Sequence, residues 1–321
     1  MKFRYDLNFL RAISVIGVIA YHFDFDMIPG GYIGVDVFFV LSGYLMTAII
    51  FKDIEHNSFS YFLFCKRRYE RIVPPLSLML LFYLTLNYFF AYDVMYHIQG
   101  LHGLSSLSFL SNIVYWQEAN YFDTASKGKL FLHTWSLSVE WQFYLIFPLV
   151  ILWLFKYCTI KVVKALIVIA MLTSLGLCIV YSPIYTSASF YLLPTRGWEM
   201  LVGAIAFLYN VELLKKSYLS VVGVCIIVGS MLVLDSSLLW PSALTIIPVI
   251  GTYLVLVSNS ELKLYKFSFF YYAGLCSYSL YLWHWPLLSM RFNGLIEMNS
   301  LLMLAIIGLA GFFSYWHLER K

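Results

Sequence analysis

Charge is scarce in this chain: Asp, Glu, Lys and Arg together make up 12% of 321 residues, while 61% are hydrophobic. That balance cannot be wrapped into a water-soluble globule, and it marks an integral membrane protein. Organised cysteine is also lacking. Cys65, Cys158, Cys178, Cys225 and Cys276 are scattered, odd in number and without metal-ligand spacing, so neither a disulfide framework nor a zinc site is implied and no metal is expected. No basic cluster suggests nucleic acid, no internal repeat is visible, and no loop between apolar runs exceeds roughly 20 residues. The N-terminus carries Lys2, Arg4, Asp6 and Arg11 without a small-residue cleavage signature, which fits a retained first span rather than a removable signal peptide.

A membrane-crossing helix needs about 20 predominantly apolar residues. Such runs fall at 7–23, 32–51, 73–91, 104–118, 135–155, 162–181, 190–209, 218–234, 240–257, 270–290 and 299–316. Lys and Arg accumulate in cytoplasmic loops. With the N-terminus inside, the basic loop 52–72, the segment Lys156 to Lys164, the pair Lys215 and Lys216, and the pair Lys263 and Lys266 are all cytoplasmic only if one segment between 73 and 155 does not cross. The weakest is 104–118, which is short and contains Ser105, Ser106, Ser108, Ser111 and Asn112. The expectation is therefore an all-α, polytopic bundle of about ten transmembrane helices plus one re-entrant or interfacial segment. Both termini are cytoplasmic in that scheme, and residues 1–321 form a single domain with no appended soluble one.

Ionisable residues inside such spans are costly and usually have work to do. Ten residues separate Arg11 from His22, all apolar or small except Ser14 and Tyr21. Eleven helical steps of roughly 100° return to within about 20° of the starting direction, so the two side chains share a face, about 16 Å apart along the axis. The topology then places His22, Asp36, Glu140, Arg196, Glu199 and His284 toward the outer side of the membrane. Each also has a plainer reading. His22 can be an interfacial histidine bonded to backbone, Arg11 a snorkelling anchor, and Arg68 with Arg71 topological charge or a lipid-phosphate contact. His284 can donate to a carbonyl freed by Pro286, and the aromatics around Glu140 can be belt residues.

Several blocks, in order, resemble the membrane-bound acyltransferase 3 family. They are the Arg11 and His22 spacing, GYIGVDVFFVLSGYLMT from Gly31, RRYERIVPP from Arg67, HTWSLSVEWQFYLIFP from His133, PTRGWEMLVGA from Pro194 and SYSLYLWHWPL from Ser277. The resemblance implies a bacterial O-acyltransferase of the inner membrane. Its acyl group, most simply acetyl, would come from cytoplasmic acetyl-CoA, a donor substrate rather than a permanently bound cofactor. The acceptor would be a hydroxyl of a cell-envelope or exported polysaccharide, such as a lipopolysaccharide O-antigen or a lipid-linked glycan. His22 is then the expected catalytic base, oriented by Asp36 or Glu140, because a hydroxyl is a poor nucleophile while it keeps its proton. Arg68 and Arg71, with Arg11, are expected to hold the donor's phosphates through forked hydrogen bonds.

On the acceptor side the expectation places His284, Trp283 and Trp285 as a sugar-stacking wall, together with Arg196, Glu199 and Trp135. Relatives usually carry a second acid after Glu140, where this chain has Trp141. Direct transfer and an acyl-imidazole on His22 both fit the residues. A transporter or flippase of the acyl donor or of a lipid-linked sugar is the alternative from another class, since intramembrane charge and a re-entrant segment suit transport as well. Membrane lipids are the remaining partners, and the oligomeric state is left open.

Overall fold

The computed structural model describes residues 3–90, 93–119, 126–209 and 214–320. Lys2 and Ala91, the last residue of the third predicted span, lie outside the described residues. The protein is all-α, and among the described residues there is no strand. Among the described residues five segments are long and apolar enough to cross a membrane: Gly31–Glu55, Tyr61–Phe89, Thr134–Tyr157, Ile160–Tyr181 and Ser300–Glu319. The other apolar runs form shorter or interrupted helices.

The helices are α1 (Tyr5–His22), α2 (Gly34–Glu55), α3 (Tyr61–Phe90), α4 (Asp93–Leu107), α5 (Ser111–Ala119), α6 (Thr134–Tyr157) and α7 (Ile160–Tyr181). They continue as α8 (Thr186–Tyr191), α9 (Leu193–Leu208), α10 (Ser217–Val233), α11 (Ile246–Ser258), α12 (Ser268–Leu275), α13 (Ser277–Phe292) and α14 (Ser300–Ser314). Two boundaries correct the sequence reading. The basic stretch read as part of the loop 52–72 is helical from Tyr61: α3 runs through RRYERIVPP with Pro74 and Pro75 inside it, so Arg68 and Arg71 sit on the long helix itself. The two prolines leave the carbonyls of Glu70 and Arg71 without their helical N–H donors, and next to them Tyr278 Oη donates to Ile72 O at 2.7 Å. Segment 104–118 is broken between α4 and α5, and at the break Phe109 takes the left-handed conformation with φ of 56°.

The chain divides into two compact units, residues 1–64 with 142–275 and residues 65–141 with 276–321. In the first, backbones approach at glycine. A Cβ on Gly43 of α2 would lie 1.8 Å from Met200 O of α9, and one on Gly203 of α9 would lie 2.0 Å from Val40 O of α2. Lipid tails are as apolar as leucine, so helices in a membrane gain little from hydrophobic burial against each other and depend on close packing, which small residues permit. The chain leaving α1 repeats the device: a Cβ on Gly31 would meet Gly17 O at 2.0 Å. Leu10, Ile33, Val37, Val40, Trp198 and Ile227 fill the core around these crossings.

In the second unit the serine-rich segment is zipped to the start of α6 by hydroxyls. Ser106 Oγ lies 2.7 Å from Thr134 Oγ1, Thr134 Oγ1 donates to Ser111 Oγ at 3.0 Å, and Ser111 Oγ lies 2.8 Å from Ser138 Oγ. All four residues are buried. The hydroxyls that make 104–118 a poor span are thus paired with the protein's own groups.

Gly43→Ala is expected to lower stability by about 1–3 kcal/mol, the usual cost of forcing extra volume into a packed contact. Gly176→Ala, where a Cβ meets nothing within 4 Å, is expected to leave stability unchanged. Unfolding midpoints of the two variants in mixed micelles check the difference.

Candidate functional site

Within the first unit α1 is one unbroken helix from Tyr5 to His22, so Arg11 and His22 share a face as their spacing requires. Both are half-buried, and His22 is the last residue of the helix. The return segment runs back along α1 in a readable register. Gly31 lies against Gly17 and Tyr21, and Gly34 lies against Ser14 and Val18. Extending that register puts Asp36 roughly two helical turns deeper than His22. The two residues do not share the level that the sequence suggested.

Asp36 is engaged elsewhere. Its Oδ1 accepts a hydrogen bond from Arg196 Nη2 at 2.7 Å, and Arg196 Nη1 lies 3.1 Å from Glu199 Oε1. The side chains are at most 1% exposed, and the guanidinium is covered by the rings of Phe39 and Phe190 at 5.3 and 6.0 Å. The acid expected to orient the histidine is therefore the anionic half of a buried ion pair joining α2 to α9. Arg196 and Glu199, expected to meet an acceptor sugar, are enclosed by protein in this structure.

The second unit gathers a different set. His284 is fully buried and its Nδ1 donates to Tyr281 O at 2.5 Å, which leaves Nε2 as the basic nitrogen. The rings of His133 and His284 are 5.8 Å apart, with that of Tyr281 5.5 and 5.3 Å from each. Tyr281 Oη donates to His133 O at 2.9 Å and lies 2.8 Å from Ser136 Oγ. Pro286 sits inside α13 just after this group.

The two tryptophans beside His284 are buried, and so is Trp135. Trp283 is packed on Phe82 and Tyr83, and Trp285 Nε1 donates to Lys129 O at 2.8 Å. A stacking face for sugar is thus not open at Trp283. Glu140 and Trp141 on α6 are half-buried, and Trp141 stacks on Phe109 at 4.4 Å. The tryptophan standing where relatives carry an acid braces the break between α4 and α5. On α3, Arg68 is half-buried and Arg71 exposed.

A family model described as an acyltransferase domain matches residues 4–318. The chain belongs to the acyltransferase 3 family. It is similar to the peptidoglycan O-acetyltransferase OatA of Listeria monocytogenes, 30% identical over 90% of this chain and 50% of the relative. It is also similar to the O-acetyltransferase OatA of Staphylococcus aureus, 30% identical over 88% of this chain and 50% of the relative. The putative peptidoglycan O-acetyltransferase YrhL of Bacillus subtilis is 28% identical over 88% and 48%. The chain thus spans about half the length of the curated relatives it matches. No solved structure matches.

One group in this acyltransferase 3 chain lay beyond the sequence reading. His102 is buried with Nε2 2.7 Å from Glu118 Oε1, and Lys129 Nζ lies 3.0 Å from Glu118 Oε2. Sixteen positions separate His102 from Glu118 and cross a helix break, so no periodicity could have paired them. Partial burial favours the neutral form of Glu118, but the bonds from His102 and Lys129 outweigh it and hold the carboxyl below its ordinary range. A depressed carboxylate contributes stability above its unfolded pKa and loses that contribution as pH falls through the folded value. Stability is therefore expected to drop in acid, below the usual carboxylate range, and Glu118→Gln is expected to remove part of that drop. Unfolding midpoints of the two proteins across acidic pH check it.

Proposed function

We propose that this protein transfers an acetyl group from cytoplasmic acetyl-CoA to a hydroxyl of a cell-envelope glycan. The observation that carries the reading is the family match over residues 4–318, which takes in every residue given a role here. The names of two relatives make peptidoglycan the first acceptor to test. About ten crossings, an inner-membrane location and cytoplasmic termini complete the proposal.

In the proposed reaction the glycan hydroxyl oxygen attacks the thioester carbon while His22 takes its proton. The C–S bond then breaks, and the proton passes to the departing thiolate as free coenzyme A. His22 is half-buried and is the last residue of α1. By resemblance Glu140 is also assigned a catalytic role, and Arg68, Arg71 and Arg11 are each assigned to the phosphates of the donor. His284, Trp285 and Trp135 are assigned to the acceptor side. Asp36 acts through Arg196, as a positioning residue rather than a partner of the imidazole.

A positioned general base contributes about 10²–10⁴-fold to rate. Membranes given acetyl-labelled acetyl-CoA are expected to place alkali-labile label in glycan with the native protein and to lose it by that factor with His22→Ala. Label in neither, with both intact molecules recovered across the membrane, would replace acyl transfer by transport. Equal label in both would remove His22 as the base.

A further inference from the structure

Three acceptor oxygens in the Asp36, Arg196 and Glu199 cluster stand without a donor. Asp36 Oδ2 and both carboxyl oxygens of Glu199 are buried and make no hydrogen bond of good geometry. Glu199 Oε1 nonetheless lies 3.1 Å from Arg196, and the two acids interact directly. Written as two carboxylates and one guanidinium, the cluster is one negative charge in excess at no more than 1% exposure. An uncompensated buried charge is so costly that a titratable group in that position neutralises instead. Two carboxyl groups sharing a site hold a proton between them for the same reason.

A proton here removes both difficulties together. It cancels the excess charge, and it turns one acceptor-only group into a donor. The neighbours do not cancel the charge: Tyr32 and Trp240 face Asp36, Trp240 as a hydrogen-bond donor, and Cys178 faces Arg196 and Glu199. None of these brings a positive charge. Geometry also decides between the acids. Asp36 lies in the first turn of α2, where the helix dipole favours an anion, and it receives the charge-assisted bond from Arg196. Glu199 lies beyond the first turn of α9 and has only proximity to Arg196.

We propose that Asp36 and Glu199 share one bound proton, carried on Glu199 and donated to Asp36 Oδ2, so that the triad is neutral and Glu199 positions Asp36 for Arg196. This does not depend on the acyl-transfer reading. The proton is held, not passed to substrate, and no bond other than O–H is involved.

Infrared spectroscopy of the purified full chain in H₂O and D₂O tests it directly. The native protein is expected to show a protonated-carboxyl C=O band that persists at neutral pH. Glu199→Gln, a neutral side chain of the same shape, is expected to lose the band while keeping the native unfolding midpoint. Asp36→Asn is expected to lose it too, because Glu199 then ionises against Arg196. An absorption unchanged by Glu199→Gln, or a band retained in Asp36→Asn, would overturn the proposal. So would Glu199→Gln failing to fold while Asp36→Asn folds, since that would mean the charge on Glu199 is required.

Discussion

A guanidinium enclosed by protein cannot remain without countercharge, and the contact between α2 and α9 is arranged around that constraint. Arg196 is held by Asp36 from one helix and approached by Glu199 from its own. Phe39 and Phe190 cover the group. Such a cluster is not the cheapest way to hold two helices together, because well-packed apolar residues of similar volume often do as well. Its effect is to specify one arrangement: breaking it strands a charge, so α2 and α9 are held to the register that brings Asp36 to Arg196.

Close backbone approach supplies the attraction that the ion cluster does not. Gly43 and Gly203 let α2 and α9 meet backbone to backbone, and Gly31 meets Gly17 where the chain returns along α1. The block from Gly31 to Gly43, read for its resemblance to a family, is therefore also a packing motif whose glycines and Asp36 act on the same neighbours. Through it the chain following His22 is tied to α1, and Asp36 is placed at the depth of Arg196. The catalytic role proposed for His22 depends on that frame, since an imidazole at a helix end is only as well positioned as the helix.

Length, apolar runs and spacing made much of this legible. The all-helical class follows from composition, and the shared face of Arg11 and His22 follows from their separation on the unbroken α1. The weakness of 104–118 was visible in its serines, and the structure breaks the segment at Phe109. What escaped depends on tertiary pairing. Asp36 belongs with Arg196, 160 positions away, rather than with the histidine nearer in sequence. The helix α3 begins at Tyr61, inside the loop read as 52–72, and carries Pro74 and Pro75 within it. Trp141 and His102 are explained by partners that only the fold supplies.

The most direct test of the account is a double-mutant cycle on Asp36→Asn and Arg196→Met, read as unfolding free energy in mixed micelles. Removing one partner of a buried pair typically costs about 3–5 kcal/mol, and partners in contact couple by about 0.5–3 kcal/mol. The prediction is that Arg196→Met alone, which strands two carboxyl groups, is the more damaging single change, and that the double variant loses less than the sum of the two. Strict additivity would contradict the claim that this ion cluster holds α2 to α9.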